Sequence, residues 1–311
     1  MNRMSESDRT FMGGEPVLDP ATAGVKLPDS ELEKVLRDIA VSEPVGCPAC
    51  GGASFRLIAR RDRYGFPLNY VACEHCGLVF ANPYYDSASL DRFYVRHYAR
   101  VYGRNASVEN MFHAECVRGR RVARLLKDFT RTNGARLSSC LDLGCAHGGF
   151  LASLPREWLR VGYDYDTALF ALGLRSGLEL RSIDQLAAER RTFDVVMANQ
   201  VLEHTPDALE FLRKMRTFLA PGGVIYIEVP GLRSPAAAHI DVRLTFKNAH
   251  HYLFESRTLR WCAARAGLRA VYLNESVEAL LVADDGAMQS EPPPLDAARA
   301  AHHRRVRDSN R

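Results

Sequence analysis

A glycine-rich turn between an apolar strand and a helix constrains the fold of this chain more than any other stretch. From Cys140 to Leu151 the sequence CLDLGCAHGGFL passes from a short apolar run, through an acidic residue and three glycines, to the apolar start of a helix. This order is typical of a buried parallel strand that feeds through a tight turn into a helix.

The rest of that region alternates between strand-like and helix-like segments. Such alternation predicts an α/β fold, a doubly wound, mostly parallel sheet with helices on both faces. A helix is expected to begin at Thr205 as cap and Pro206 as first residue, and Gly267 is expected to end another. Seven strands are predicted, at 139–143, 159–163, 178–181, 193–198, 224–229, 268–273 and 279–283.

An acidic residue lies where a bound nucleoside would need it. Asp164 follows Gly144 by twenty residues and ends the second strand-like run. An acid at that offset is placed to hydrogen-bond the two hydroxyls of an adenosine ribose. A G-x-A-x-x-G pattern through Gly144, Ala146 and Gly149 also suits a dinucleotide, so the turn alone leaves the ligand open.

Four motifs together indicate which ligand the turn binds. LDLGCAHGGF, VGYDYD, FDVVMANQVLEH and LAPGGVIYIEVP occur in this order between about 141 and 230. The set resembles the class I S-adenosylmethionine-dependent methyltransferases, with one departure, Ala146, where many members carry glycine. The resemblance implies S-adenosylmethionine as the cofactor and an antiparallel last strand. It implies cofactor-binding roles for Asp142, Gly144, Ala146, Gly148, Asp164, Tyr165, Asp184, Asn199 and Gln200.

Within that set the resemblance assigns separate tasks. Asp164 would hold the ribose, Tyr165 would lie beside the adenine, and Asp184 would meet the adenine amino group. Asn199 and Gln200 would line the methionyl side, and Asp142 would orient the turn. His147, inside the turn, is expected to point at solvent or at a lid.

Methyl transfer to oxygen, or to carbon beside a ketone, also requires removal of a proton. Histidine is the side chain whose ordinary pKa suits that task near neutral pH. His204 follows the fourth strand, and His250 and His251 follow the fifth, so these three are the candidate catalytic residues. The sequence leaves open which of them is the base, and whether oxygen, carbon or nitrogen is methylated.

Two cysteine pairs predict a second, smaller module. Cys47 and Cys50 form one C-x-x-C pair, and Cys73 and Cys76 form the other after twenty-two residues. This is the spacing of a zinc ribbon. Four thiolates close a tetrahedral site, so the Zn²⁺ is expected to be structural.

The segment that follows, CGLVFANP and then LDRFYVRHY, resembles the leader of zinc-ribbon methyltransferases associated with bacterial surface-glycan or sugar modification. We therefore expect a small-molecule or glycan acceptor, most simply a sugar of surface polysaccharide biosynthesis. The expected organisation is a disordered leader with a short helix (1–43), a zinc ribbon (44–84), a helical connector or lid (85–138), the methyltransferase domain (139–284) and a disordered tail (285–311).

Composition limits the alternatives. The 311 residues are 47% hydrophobic with a formal charge of +4, which suits a globular enzyme better than a nucleic-acid-binding protein. No apolar run is long enough to span a membrane, and the N-terminus has no apolar export core, so a cytoplasmic location is expected. An RNA methyltransferase that grips its substrate with the ribbon, and a non-catalytic S-adenosylmethionine-binding protein, remain the alternatives.

Overall fold

The computed structural model describes residues 16, 18–102, 107–232, 241–284 and 286. The predicted disorder before residue 16 and beyond residue 286 lies outside the described residues. Among the helices within those ranges, none is long and apolar enough to cross a membrane.

The eleven strands and eight α-helices of the described residues are numbered in chain order. The strands are β1 (Phe55–Arg61), β2 (Pro67–Cys73), β3 (Val79–Ala81), β4 (Ser139–Leu143), β5 (Leu159–Asp164), β6 (Glu179–Ser182), β7 (Phe193–Asn199), β8 (Leu219–Glu228), β9 (Tyr252–Leu253), β10 (Leu268–Leu273) and β11 (Glu278–Ala283). The α-helices are α1 (Asp29–Leu36), α2 (Ser87–Arg96), α3 (Tyr98–Val101), α4 (Val108–Asn133), α5 (Gly149–Ala152), α6 (Ala171–Arg175), α7 (Ala208–Thr217) and α8 (Ser256–Arg265).

The large sheet has seven strands in the order β10-β11-β8-β7-β4-β5-β6. Strands β6, β5, β4, β7 and β8 are parallel, whereas β11 runs antiparallel to both β8 and β10. The predicted α/β fold and antiparallel last strand are therefore confirmed. The chain leaves β4 toward β5 on one side and returns to β7 on the other, so the carboxyl end of β4 is the switch point where open α/β sheets bind ligands.

Side chains of the central strands alternate between two cores. Val195 and Met197 of β7 pack in a cluster with α4 and α5 on one face. Val196 and Ala198 point to the other face, where they join α7, α8 and the cysteine module. This period of two is what a strand covered by helices on both faces requires.

The cysteine module is built onto the methyltransferase body. Strands β1, β2 and β3 form an antiparallel sheet, and β9 adds a fourth strand by pairing Phe80 with Tyr252. Arg257 of α8 donates from Nη2 to the Cys76 carbonyl at 2.9 Å. The pairing with β9 was not predicted, and it joins the module to the segment that carries two candidate histidines.

Part of the leader packs on the body, and one predicted helix cap is wrong. Leu18 is buried against the cysteine module, and its N–H donates to the Ile58 carbonyl at 2.9 Å. Helix α7 is capped by Asp207, which accepts from the Glu210 N–H, rather than by Thr205. An Asp side chain reaches the N3 amide directly, and this decides where the helix begins.

Candidate functional site

The glycine turn leaves β4 in a conformation that closes around the end of β5. Gly144 has a φ of +79°, and its N–H and that of Cys145 both donate to the Tyr163 carbonyl, at 2.8 and 3.1 Å. Ala146 has a φ of +44°, and its N–H donates to Asp164 Oδ2 at 2.8 Å. The acid predicted to hold the ribose is thus tied to the turn predicted to face the donor. The positive φ of Ala146 explains why glycine suits this position.

Substitution of Gly144 tests how tightly the turn is packed. A Cβ at Gly144 would lie 2.5 Å from Val201 Cγ2, whereas a Cβ at Gly222, which has a similar φ of +76°, would meet no atom within 4 Å. We expect Gly222→Ala to lower the free energy of unfolding by about 1–2 kcal/mol through backbone strain. Gly144→Ala should cost a further ~1–3 kcal/mol through steric overlap. Equal losses in urea unfolding of the two variants would contradict this packing.

Asp142 lies beneath the turn. Its side chain is buried, and its Oδ1 has no hydrogen-bond partner among the residues that the structure describes. Burial, followed by repulsion from Glu115 and Asp164, holds the pKa of Asp142 well above its usual range. A group this deep can influence the turn but cannot meet a ligand without rearrangement.

His147 points away from solvent and toward α4, which lies within the segment predicted as a connector or lid. The ring is buried, its Nδ1 lies 2.7 Å from Glu115 Oε1, and Glu115 Oε2 accepts from the Gly149 N–H at 2.9 Å. Glu115 of α4 therefore holds both ends of the turn. Sequence reasoning missed this residue, because nothing local marks one glutamate on an amphipathic helix as a partner of a loop thirty residues later.

The residues predicted to meet the adenine lie at the same edge of the sheet. Tyr165 follows β5 and is 80% exposed. Asp184 follows β6, is exposed, and accepts a hydrogen bond from Ser182 Oγ at 3.3 Å. Both side chains are free to contact a molecule that lies across the ends of β4 to β6.

The residues predicted for the methionyl side belong to a network. Asn199 Oδ1 accepts from Arg118 Nη2 at 3.1 Å, and Asn199 Nδ2 donates to Glu228 Oε2 at 3.0 Å. Gln200 has a φ of +55° and donates from its N–H to the Glu228 carbonyl at 2.7 Å. The strained backbone at Gln200 directs the following residues, Val201 to His204, back toward the glycine turn.

Beyond that bend, three titratable side chains converge: Glu203, His204 and His250. One ligand atom from each lies within 4.8 Å of the others, and His204 Nε2 is 3.5 Å from Glu203 Oε1. Burial raises the pKa of Glu203 to about 8 and lowers that of His204 to about 4. Burial also lowers the pKa of His250 well below its usual range. We call these three residues the Glu-His-His cluster.

The structure places the third candidate histidine elsewhere. His251 stacks on Tyr84 with ring centroids 4.2 Å apart and faces the Thr205 carbonyl with Nδ1 at 3.3 Å. Its position is between the cysteine module and α7, not in the cluster. Tyr94 of α2, which the sequence did not single out, has its hydroxyl 2.9 Å from His204 Nδ1. Helix α2 thus covers the mouth of the site.

The four cysteines of the two C-x-x-C pairs also converge. Their sulfur atoms all lie within 4.8 Å of one another, with Cys47–Cys76 and Cys50–Cys73 separations of 3.5 Å. The Gly52 N–H is directed at Cys50 Sγ at 3.4 Å.

Fold and site together define a class I S-adenosylmethionine-dependent methyltransferase: the strand order, the acid bonded to the glycine turn, and the polar cluster beyond the fourth strand of the large sheet. A family described as "Methyltransferase domain" matches residues 111–273. The chain belongs to this family and is an S-adenosylmethionine-dependent methyltransferase.

Individual relatives are more distant. The chain is 32% identical over 136 residues to the ubiquinone biosynthesis O-methyltransferase of Xanthomonas campestris pv. campestris (strain B100), a match that covers 38% of this chain and 55% of that protein. The chain is 33% identical to the enzyme of the same name from Xanthomonas axonopodis pv. citri (strain 306), with the same coverage of the two chains. The chain therefore spans about half the length of these curated relatives.

Solved structures give similarly distant matches. The sugar N-methyltransferase KedS8 from Streptoalloteichus sp ATCC 53650 is 19% identical with a TM-score of 0.41, covering 63% of this chain and 92% of that one. The plantazolicin methyltransferase BpumL, in complex with SAH, is 12% identical with a TM-score of 0.45, covering 63% and 94%.

Proposed function

We propose that this enzyme transfers a methyl group from S-adenosylmethionine to a small-molecule acceptor, most simply a sugar hydroxyl of surface-glycan biosynthesis. The observation that carries the proposal is the contact between the glycine turn and Val201, which lies two residues before the Glu-His-His cluster begins. Val201 packs against Gly144, and Glu203 and His204 follow it within three residues. A methyl group held at the turn would therefore face the cluster.

The donor would lie across the carboxyl ends of β4, β5 and β7. Asp164 accepts the ribose hydroxyls, and Gly144, Ala146 and Gly148 allow the backbone to approach the ligand. Tyr165 and Asp184 contact the adenine, Asn199 and Gln200 line the methionyl end, and Asp142 supports the turn from below. These roles fit the exposure of Tyr165 and Asp184 and the burial of Asp142.

The acceptor would dock between this edge and α2. In-line transfer requires the attacking atom within about 3–3.5 Å of the methyl carbon, so positioning supplies much of the rate. We propose that the acceptor loses its proton beside the Glu-His-His cluster, where His204 and His250 are the catalytic histidines that act on the acceptor oxygen. His251 then serves packing, since it is held by Tyr84 and the Thr205 carbonyl.

A phenolic acceptor is the second candidate. The matched relatives are named for O-methylation in ubiquinone biosynthesis, and Tyr94 at the mouth would stack on an aromatic ring as readily as on a sugar.

We also propose a structural Zn²⁺ at Cys47, Cys50, Cys73 and Cys76. Four thiolates about 2.3 Å from a tetrahedral zinc are separated by roughly 3.8 Å. The Cys47–Cys76 and Cys50–Cys73 sulfur separations of 3.5 Å are close to that value. The ion would stabilise the module and would leave no position open for a substrate.

A screen of acceptors decides between the two candidates. The enzyme is incubated with methyl-labelled S-adenosylmethionine and panels of nucleotide sugars, glycans and catechols, and products are read by mass. We expect the label in a sugar. Label only in catechols would favour the phenolic acceptor, and label in RNA would contradict both.

A further inference from the structure

The Glu-His-His cluster has an unusual electrostatic arrangement. Glu203 is 1% exposed, and among the described residues neither of its carboxylate oxygens has a hydrogen-bond partner. A buried carboxylate without partners costs several kcal/mol, so the group holds a proton unless a cation takes the place of that proton. Lys247 influences Glu203 through charge but makes no hydrogen bond to it within the described ranges.

Both histidines have a ring nitrogen that is available as a metal ligand. His204 Nδ1 lies 2.8 Å from the Ala249 carbonyl, which can only accept, so Nδ1 carries the proton and Nε2 has the lone pair. The buried Nδ1 of His250 has no hydrogen-bond partner in the described part of the chain, so this nitrogen is available as a ligand.

This is the arrangement that metal-binding histidines adopt. A ligating imidazole commonly donates its other N–H to a backbone carbonyl, which fixes the tautomer and the ring orientation. Two such imidazoles and one carboxylate form a donor set that binds first-row divalent metals and leaves coordination positions open. His204 is partly exposed, so the open positions would face the mouth of the site under Tyr94.

We propose that Glu203, His204 and His250 bind a divalent transition-metal ion, separate from the zinc of the cysteine module. The ion compensates the Glu203 carboxylate and binds the acceptor oxygen beside the donor methyl group. The role of the ion in activating the acceptor rests on the proposed function. The existence of the ion does not depend on that function.

The transfer step then balances without any further reactant. The metal polarises the acceptor hydroxyl, which loses its proton to water. The oxygen lone pair forms a bond to the methyl carbon, and the carbon–sulfur bond breaks with its electrons moving to sulfur. The products are the methyl ether, S-adenosylhomocysteine and one released proton.

Metal content of the full-length protein tests the inference directly. Enzyme stripped by a chelator and reloaded with Co²⁺ should bind two equivalents. The Co²⁺ ion at the four cysteines should show intense sulfur-to-cobalt absorption. The Co²⁺ ion at the Glu-His-His cluster should show only weak d–d bands. His250→Ala should bind one equivalent with the thiolate absorption intact. His113→Ala, which removes an exposed histidine of α4, should retain two.

A variant that preserves shape separates ligation from folding. Glu203→Gln keeps the volume of the side chain, and its second Co²⁺ should bind at least ~100-fold more weakly, since loss of even an outer-shell partner costs roughly 10–100-fold. One equivalent in the wild-type protein, or two in both His250→Ala and Glu203→Gln, would overturn the inference. Because the measurement needs no acceptor, failure of the acceptor screen and failure of the metal site are distinguishable.

Discussion

Replacement of Asp164 by alanine is expected to weaken S-adenosylmethionine binding by at least ~100-fold. Hydrogen bonds to a charged group contribute about 1.5–3 kcal/mol each, and the carboxylate is placed to accept two from the ribose. The same carboxylate accepts from the Ala146 N–H at 2.8 Å, so the variant also loses the bond that fixes the turn. Isothermal titration with S-adenosylmethionine measures the loss.

Two further variants separate these effects. Asp164→Asn keeps a side-chain oxygen for the Ala146 N–H but removes the charge, so we expect it to bind the donor with intermediate affinity. Asp128→Ala removes an exposed carboxylate of α4, remote from the site, and should bind as the wild type does. If folded Asp164→Ala binds the donor normally, the ribose lies elsewhere and the proposed donor site is wrong.

The methyltransferase sheet could be predicted because its signals are local. Each strand is a short apolar run, and the turn after β4 is marked by glycines within twelve residues of sequence. The resemblance also predicted that Asp164 lies near the glycine turn, and in the structure its carboxylate accepts a hydrogen bond from the Ala146 N–H. Strand ends differ by a few residues, as at β8, which begins at Leu219 rather than 224 because its first residue already pairs with Phe193.

What could not be predicted depends on contacts between distant segments. Glu115 reaches the turn from α4, Tyr94 reaches His204 from α2, and β9 joins the cysteine module. Tyr94 lies within LDRFYVRHY, but that resemblance does not indicate its contact with His204, and Glu115 and β9 lie in none of the quoted motifs. His250 and His251 are adjacent in sequence, yet one joins the cluster and the other stacks on Tyr84, because the backbone on entering β9 sends consecutive side chains to opposite sides.

That pairing of β9 with β3 links the cysteine module to catalysis. If the four cysteines bind zinc, loss of the ion removes folding free energy, since structural zinc contributes about 10–16 kcal/mol in zinc-finger peptides. The module would lose its sheet, and β9 would lose its partner strand. Ala249 and His250, which precede β9, would then no longer be held beside His204.

Cys47→Ser is therefore expected to abolish methyl transfer while leaving donor binding nearly unchanged. Hydrogen exchange should show lost protection over 47–81 and at β9, with β4, β5 and the glycine turn still protected, because those strands pair only within the large sheet. Cys116→Ser makes the same change on α4, away from the four sulfurs, and should keep both zinc and activity. Protection retained at β9 in a zinc-free variant would show that the acceptor side is held without the module. Donor affinity lost together with activity would show that zinc stabilises the whole enzyme and not the acceptor side alone.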